Sequence, residues 1–230
     1  MKETISDTWL VNGNIMIFCG PHTDSFKKDI LASSLLAELV AEQKNSHRAT
    51  SWSTYTDTVI KIGWIVNSRA TQHLEFENRN LLNVVEQSAG SALPQNERQA
   101  LAIALAQLAN LPSDSPAIRT IVEKLEKNAT VNNTTTTDTP ISTAALLTII
   151  CNDKTVVTLQ VAFETVHGIA IDILDQPTLS ASNDPQTNSW LMCSLLDERH
   201  YNLIRDDVLE KLGLNIETRL LQIPVPADLD

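Results

Sequence analysis

Between Thr155 and Thr165, Val157, Leu159, Val161 and Phe163 alternate with Thr158, Gln160, Ala162 and Glu164. That two-residue period is the pattern of a strand with one buried and one wet face. Ala144 to Cys151 is apolar apart from Thr148 and fits a strand or a helix; strand is the preferred reading, with Asn152-Asp153-Lys154 as a tight turn joining it to the alternating strand in a hairpin. Val166-His167-Gly168 is a second turn, and Ile169, Ile171 and Ile173 give a third strand face. A polar loop from Gln176 to Asn188 leads to an apolar run from Trp190 to Leu196. The helix predicted over His200–Leu212 carries Tyr201, Ile204, Val208 and Leu212 on one stripe and stops at Gly213, the residue type favoured just past a helix C-terminus. Ile216 to Ile223 returns as an edge strand, because Pro224 and Pro226 cannot donate to a ladder.

The N-terminal half has a different rhythm. Apolar runs flank Asn12-Gly13 between Trp9 and Phe18, and Asn-Gly is the dipeptide that best tolerates a type I′ hairpin turn. Gly20 to Ser25 has loop composition and ends in helix-capping residues, ahead of a helix to about Lys44 whose face is Leu31, Leu35, Leu36, Leu39 and Val40. Trp52, Tyr55, Val59, Ile62 and Val66 predict a second helix from about Ser53, and Leu74 and Phe76 a short strand over 72–77. Three helical segments follow, Asn80 to Gln87, Gln95 to Ala109 and Pro116 to Lys127. In the last, Ser115 is the cap, Pro116 the first helical residue, and Ile118, Ile121, Val122 and Leu125 the buried face.

These elements predict an α+β fold: a helix-rich N-terminal part with an initial β-hairpin over 1–127, a Thr/Asn-rich linker or loop over 128–142, and a mainly antiparallel sheet with one packed helix over 143–230. The linker holds Val131 as its one large apolar residue before Pro140 and cannot offset the entropy of being ordered.

Charge divides the chain in the same place. The net charge is −11, and from residue 128 onward five Lys/Arg face fourteen Asp/Glu, against twelve and fourteen before it. Such a surface repels phosphate backbones and anionic lipid headgroups, which argues against nucleic acid as a partner and against peripheral membrane binding by simple attraction. Cys19, Cys151 and Cys193 have no paired spacing, so a disulfide framework is not expected. No apolar run approaches the roughly 18 residues of a membrane helix, and no signal-like leader is evident, which places the chain in the cytoplasm with no stable membrane insertion expected of the soluble form. The Asn-x-Thr triplets at Asn128, Asn132 and Asn133 then read as polar linker residues.

Chemistry-bearing residues gather weakly in two places. Cys19, His22 and Asp24 fall within six residues after a strand, where a nucleophile and base can project into a cleft. The competing reading makes Asp24 a helix-end residue and Cys19 the continuation of an apolar strand. Cys193 and His200 flank a strand-to-helix junction with Asp197 and Glu198; a reactive thiolate needs such a base nearby, yet Leu191, Cys193 and Leu195 share one strand face. The histidines His22, His47, His73, His167 and His200 are scattered singly, and Asp172, Asp175, Asp184, Asp206 and Asp207 form no calcium loop, so neither a metal nor a cofactor is expected. Trp9, Trp52, Trp64 and Trp190 are candidates for an interaction surface, with the core as the simpler home.

Three function classes remain. The first is a non-enzymatic association or assembly protein, working through self-association or a protein partner at an apolar sheet, at a helix face or at a free sheet edge near Asn152. The second is a cysteine-type hydrolase or transferase. The third is a toxin-like membrane-active protein that changes conformation, suggested by an alternating hairpin of the kind a membrane barrel uses. The expectation drawn from the sequence is the first.

Overall fold

Asn12 and Gly13 turn the chain at φ 52° and 85°, closing β1 (Ser6–Val11) onto β2 (Asn14–Cys19) as the expected hairpin. The computed structural model describes residues 6–45, 48–75, 79–90, 92–131, 141–165, 168–169, 177–180 and 188–224. Most of the Thr/Asn-rich segment, the turn at Val166-His167, nearly all of the strand expected over 169–174 and most of the polar loop before Asn188 lie outside the described residues.

The helix after β2 is α1 (Asp24–Lys44), capped by the Thr23 hydroxyl, which accepts from the Phe26 N–H at 3.3 Å. Next come α2 (Arg48–Lys61), β3 (Trp64–Gln72), β4 (Arg79–Asn80), α3 (Leu81–Gly90), α4 (Gln95–Ala109) and α5 (Pro116–Lys127), the last with Ser115 and Pro116 in the expected roles. The C-terminal elements are β5 (Thr130–Val131), β6 (Ile141–Ile150), β7 (Val156–Thr165), β8 (Pro177–Ser180), β9 (Ser189–Leu196), α6 (Glu198–Leu212), α7 (Asn215–Arg219) and β10 (Leu220–Ile223). The α+β class holds.

The body of the sheet runs β10-β1-β2-β6-β7-β9-β3. Among the described pairs only β2 with β6 is parallel, the geometry that needs a long crossover, and the chain from α1 to α5 supplies it. Strands β5 and β8 add to the ends of β6 and β7, and β4 pairs with β8.

One side of the sheet packs on α3, α4 and α5 through Leu101, Leu105, Ile118 and Ile121. The other packs on α1, α2 and α6 through Ile30, Leu35, Tyr55, Val59 and Tyr201. This corrects the expectation of a wet face on the alternating strand: every residue of β7 is buried. Alternation marks two chemically different faces, and here helices of the same chain cover both.

Two further expectations are corrected. The second helix stops at Lys61, because Gly63 takes φ 97° and redirects the chain; Trp64 and Val66 therefore belong to β3, which ends at Gln72, while Phe76 and Glu77 of the strand expected over 72–77 lie outside the described residues. Pairing with β9 decides this in favour of the β-branched residues. The edge strand expected over 216–223 begins only at Leu220, after the one-turn helix α7.

Candidate functional site

The β6–β7 hairpin occupies the centre of the sheet with β2 on one side and β9 on the other. Its register pairs Leu147 with Leu159, Ile149 with Val157 and Ala145 with Val161. Together with Phe163 these form an unbroken apolar face under α3–α5. The register also pairs Thr148 with Thr158, Leu146 with Gln160 and Ser142 with Glu164, so the opposite face is mixed. Gln160 is fully buried, yet neither of its amide atoms has a hydrogen-bond partner, and Thr158 Oγ1 has none either. Such groups cost stability where they lie, on the order of 1–3 kcal/mol each.

The two cysteine loops are built differently from a nucleophilic site. Cys19 ends β2 with its side chain buried, and the His22 ring approaches its backbone carbonyl, with Nε2 at 3.1 Å from that oxygen. The imidazole lies between Phe18 and Phe26, with ring centroids 5.8 and 5.4 Å away. Burial, with the charges of Lys27 and Lys154 acting the same way, holds His22 below its ordinary value. Burial, reinforced by Glu97, pushes the Cys19 thiol up to about 12, and burial does the same to Cys151. Asp24 is exposed in the first turn of α1. His22 thus meets the backbone of Cys19, whose buried thiol is disfavoured as a thiolate.

Cys193 pairs with Val157 in register and packs on the α3–α5 face, whereas α6 lies on the other face through Tyr201. His200 stands in the first turn of α6, its backbone N–H bonded to Asp197 Oδ1 at 3.1 Å and its ring against Gly63. The sheet separates the packing of this pair. The tryptophans turn inward: Trp64 is buried and donates to Ser33 Oγ at 3.1 Å, Trp190 packs with Ala144 and Ala162, Trp52 stacks on Tyr55 at 6.2 Å, and Trp9 lies against the α1–α2–α6 cluster.

A set of charges absent from the sequence reading sits where the β1–β2 turn meets α5. Lys124 Nζ lies 2.7 Å from Glu42 Oε1 and 3.5 Å from Glu38 Oε2, and Lys127 Nζ lies 3.2 Å from Glu42 Oε1. Burial raises the Glu42 carboxyl, but hydrogen bonding and charge from Lys124 and Lys127 outweigh it and hold the group below its ordinary value. Among the described residues, this is the ion-pair group that joins a helix of one layer to a helix of the other. The available signal was the i, i+4 pair Glu38/Glu42 and the i, i+3 pair Lys124/Lys127, which says nothing about their meeting.

No protein-family model matches the chain, and no curated protein matches it. Among solved structures the chain is similar to the activated Cyt2Ba monomer from Bacillus thuringiensis subsp. israelensis, with 13% identity and a TM-score of 0.45, over 80% of this chain and 98% of that one. The expectation of a non-enzymatic association or assembly protein is corrected on the geometry of the sheet. The sheet surfaces it relied on are used by the chain itself: the sheet is covered on both faces, and β6 and β7 beside Asn152 are interior strands with no free edge.

Proposed function

We propose that this chain is a membrane-active, toxin-like protein whose central hairpin leaves its helical cover and enters a bilayer. One observation carries this reading: β6 and β7 are ten residues each, they are segregated into an apolar and a mixed face, and both faces lie under helices. A tilted strand needs about 9–11 residues to cross the hydrocarbon core, and a membrane barrel needs one lipid-facing and one water-facing side. Leu147, Ile149, Val157, Leu159, Val161 and Phe163 form the lipid side, while Thr148, Thr158, Gln160 and Glu164 form the water side. In the folded chain the mixed face is buried at a cost; in a barrel the same groups are hydrated. None of the described helices is long and apolar enough to cross a membrane, so insertion through this chain's described helices is not the route proposed.

The test is release of an encapsulated dye from phosphatidylcholine vesicles over a range of acid to neutral pH. Release by the intact chain is the expected result. Dye retention at every pH, in vesicles that a detergent control still empties, overturns the reading.

A further inference from the structure

The turn of the β1–β2 hairpin borders a cleft of about 180 Å³ whose lining includes Asn12, Glu42, Glu123, Lys124, Lys127 and Arg219. Its acceptors and donors are unequally used. Glu42 is already held by two lysines at 2.7 and 3.2 Å. Arg219 reaches only Asn12 Oδ1, at a long 3.4 Å, and among the described residues has no carboxylate partner. Lys127 keeps 58% of its side chain exposed. Asn12 is 4% exposed, and its Nδ2 has no hydrogen-bond partner. Because Oδ1 faces the Arg219 guanidinium, Nδ2 is the atom left over, and it is a donor.

We infer that this cleft is a binding site for a phosphate-type oxyanion, taken either as free phosphate or as a phosphate ester. Donors with capacity to spare come from three elements that line the cleft: the unmet Asn12 amide of the hairpin turn, the loosely held guanidinium at the end of α7, and the Lys127 ammonium in the last turn of α5, which meets Glu42 yet stays 58% exposed. A guanidinium matches two phosphate oxygens at once, and a charge-assisted bond is the strongest such a small site can make. The unpartnered amide of Asn12 gains an acceptor on binding, which removes the cost of leaving it unmet. Arg219 is exposed and only loosely held, so it is free to swing over the anion. Glu123 opposes a second negative charge and keeps affinity low, on the order of millimolar. The inference does not depend on the membrane activity proposed above.

The test is a titration of the ¹⁵N-labelled chain with inorganic phosphate at constant ionic strength, with chloride as the matched control. Saturable shifts of the Asn12 side-chain amide and the Gly13 amide are expected with phosphate only. Arg219→Ala and Asn12→Gly each weaken binding at least about tenfold. Glycine tolerates the positive φ of position 12, so Asn12→Gly keeps the turn, and the remainder of the spectrum reports an intact fold. A second arm measures binding to phosphatidylcholine vesicles with and without phosphatidate. Phosphatidate-dependent binding that free phosphate displaces makes a lipid headgroup the source; saturable phosphate binding without such displacement makes it a soluble phosphate. Shifts that stay linear with phosphate, or saturate equally in both variants, overturn the site.

Discussion

The ammonium of Lys124 lies 2.7 Å from Glu42 Oε1, and this contact ties α5 on one face of the sheet to α1 on the other. Glu38 stands behind it at 3.5 Å, and the Lys124 side chain is 6% exposed. Lys124→Met removes the cation and leaves a fully buried carboxylate without it. Breaking a buried pair from one side costs about 3–5 kcal/mol, and Lys127 retains part of Glu42, so a loss of about 2–3 kcal/mol in urea unfolding is expected. An unchanged midpoint shows that the two layers are held by packing alone.

Gly13 sets the same joint sterically. A Cβ at this position stands 2.4 Å from Lys124 Cβ, and the residue has φ 85°. Gly13→Ala combines backbone strain with a collision against a buried stem, for a loss of roughly 2–3 kcal/mol by thermal or urea unfolding.

Acid acts on two kinds of group. His22 is held below its ordinary 6.5 in the folded chain, so the unfolded chain takes up the proton first, and its contribution is complete above pH 6.5 and is lost as pH falls through the depressed folded value. Lys27, paired with Asp7, and Lys154, paired with Glu198, face the ring. Glu42 and Asp7 are held below 4.5 and 3.8; their contribution is complete above those values and disappears as pH falls through the folded ones. The expected stability profile therefore declines in two stages, and His22→Gln flattens the one near neutrality. A variant with the same slope between pH 5 and 7 as the parent removes His22 from this account.

Thiol reactivity separates the cysteine-enzyme reading from the others. Cys19 and Cys151, both with thiols raised to about 12, are expected to alkylate only on unfolding, and the half-buried Cys193 first. Mass-resolved labelling at neutral pH checks this; rapid modification of Cys19 restores it as a nucleophile.

Gln160 offers the sharpest probe of the membrane reading. Gln160→Met removes two unmet polar atoms from the buried mixed face, so it is expected to raise stability by about 1–2 kcal/mol. Under the proposed function it also slows dye release, because the native state is deeper and the water-facing side of the hairpin is less polar. Faster release together with higher stability contradicts that link.

Much of the secondary structure is legible locally. Asn12-Gly13, Ser115-Pro116 and Gly213 mark the turn, the helix start and the helix end where the structure has them. The missed strand β3 is different in kind, since its nine residues are stabilised by pairing with β9 more than a hundred positions away. The cysteine loops were visible as residue types, but their burial was not. The charges around Glu42 escaped because Glu42 and Lys124 are separated by 82 positions.

The sequence alone determined the two-residue alternation of β7, the cap at Ser115 and the turn glycines Gly13 and Gly213, because these depend on neighbours within a few residues. Only the tertiary structure decided that both faces of that hairpin are covered, that β2 and β6 run parallel at the centre, and that α1 and α5 meet across the end of the sheet. A period-2 pattern reports that two faces differ; it carries no information about what lies against each, since that depends on contacts distant in sequence.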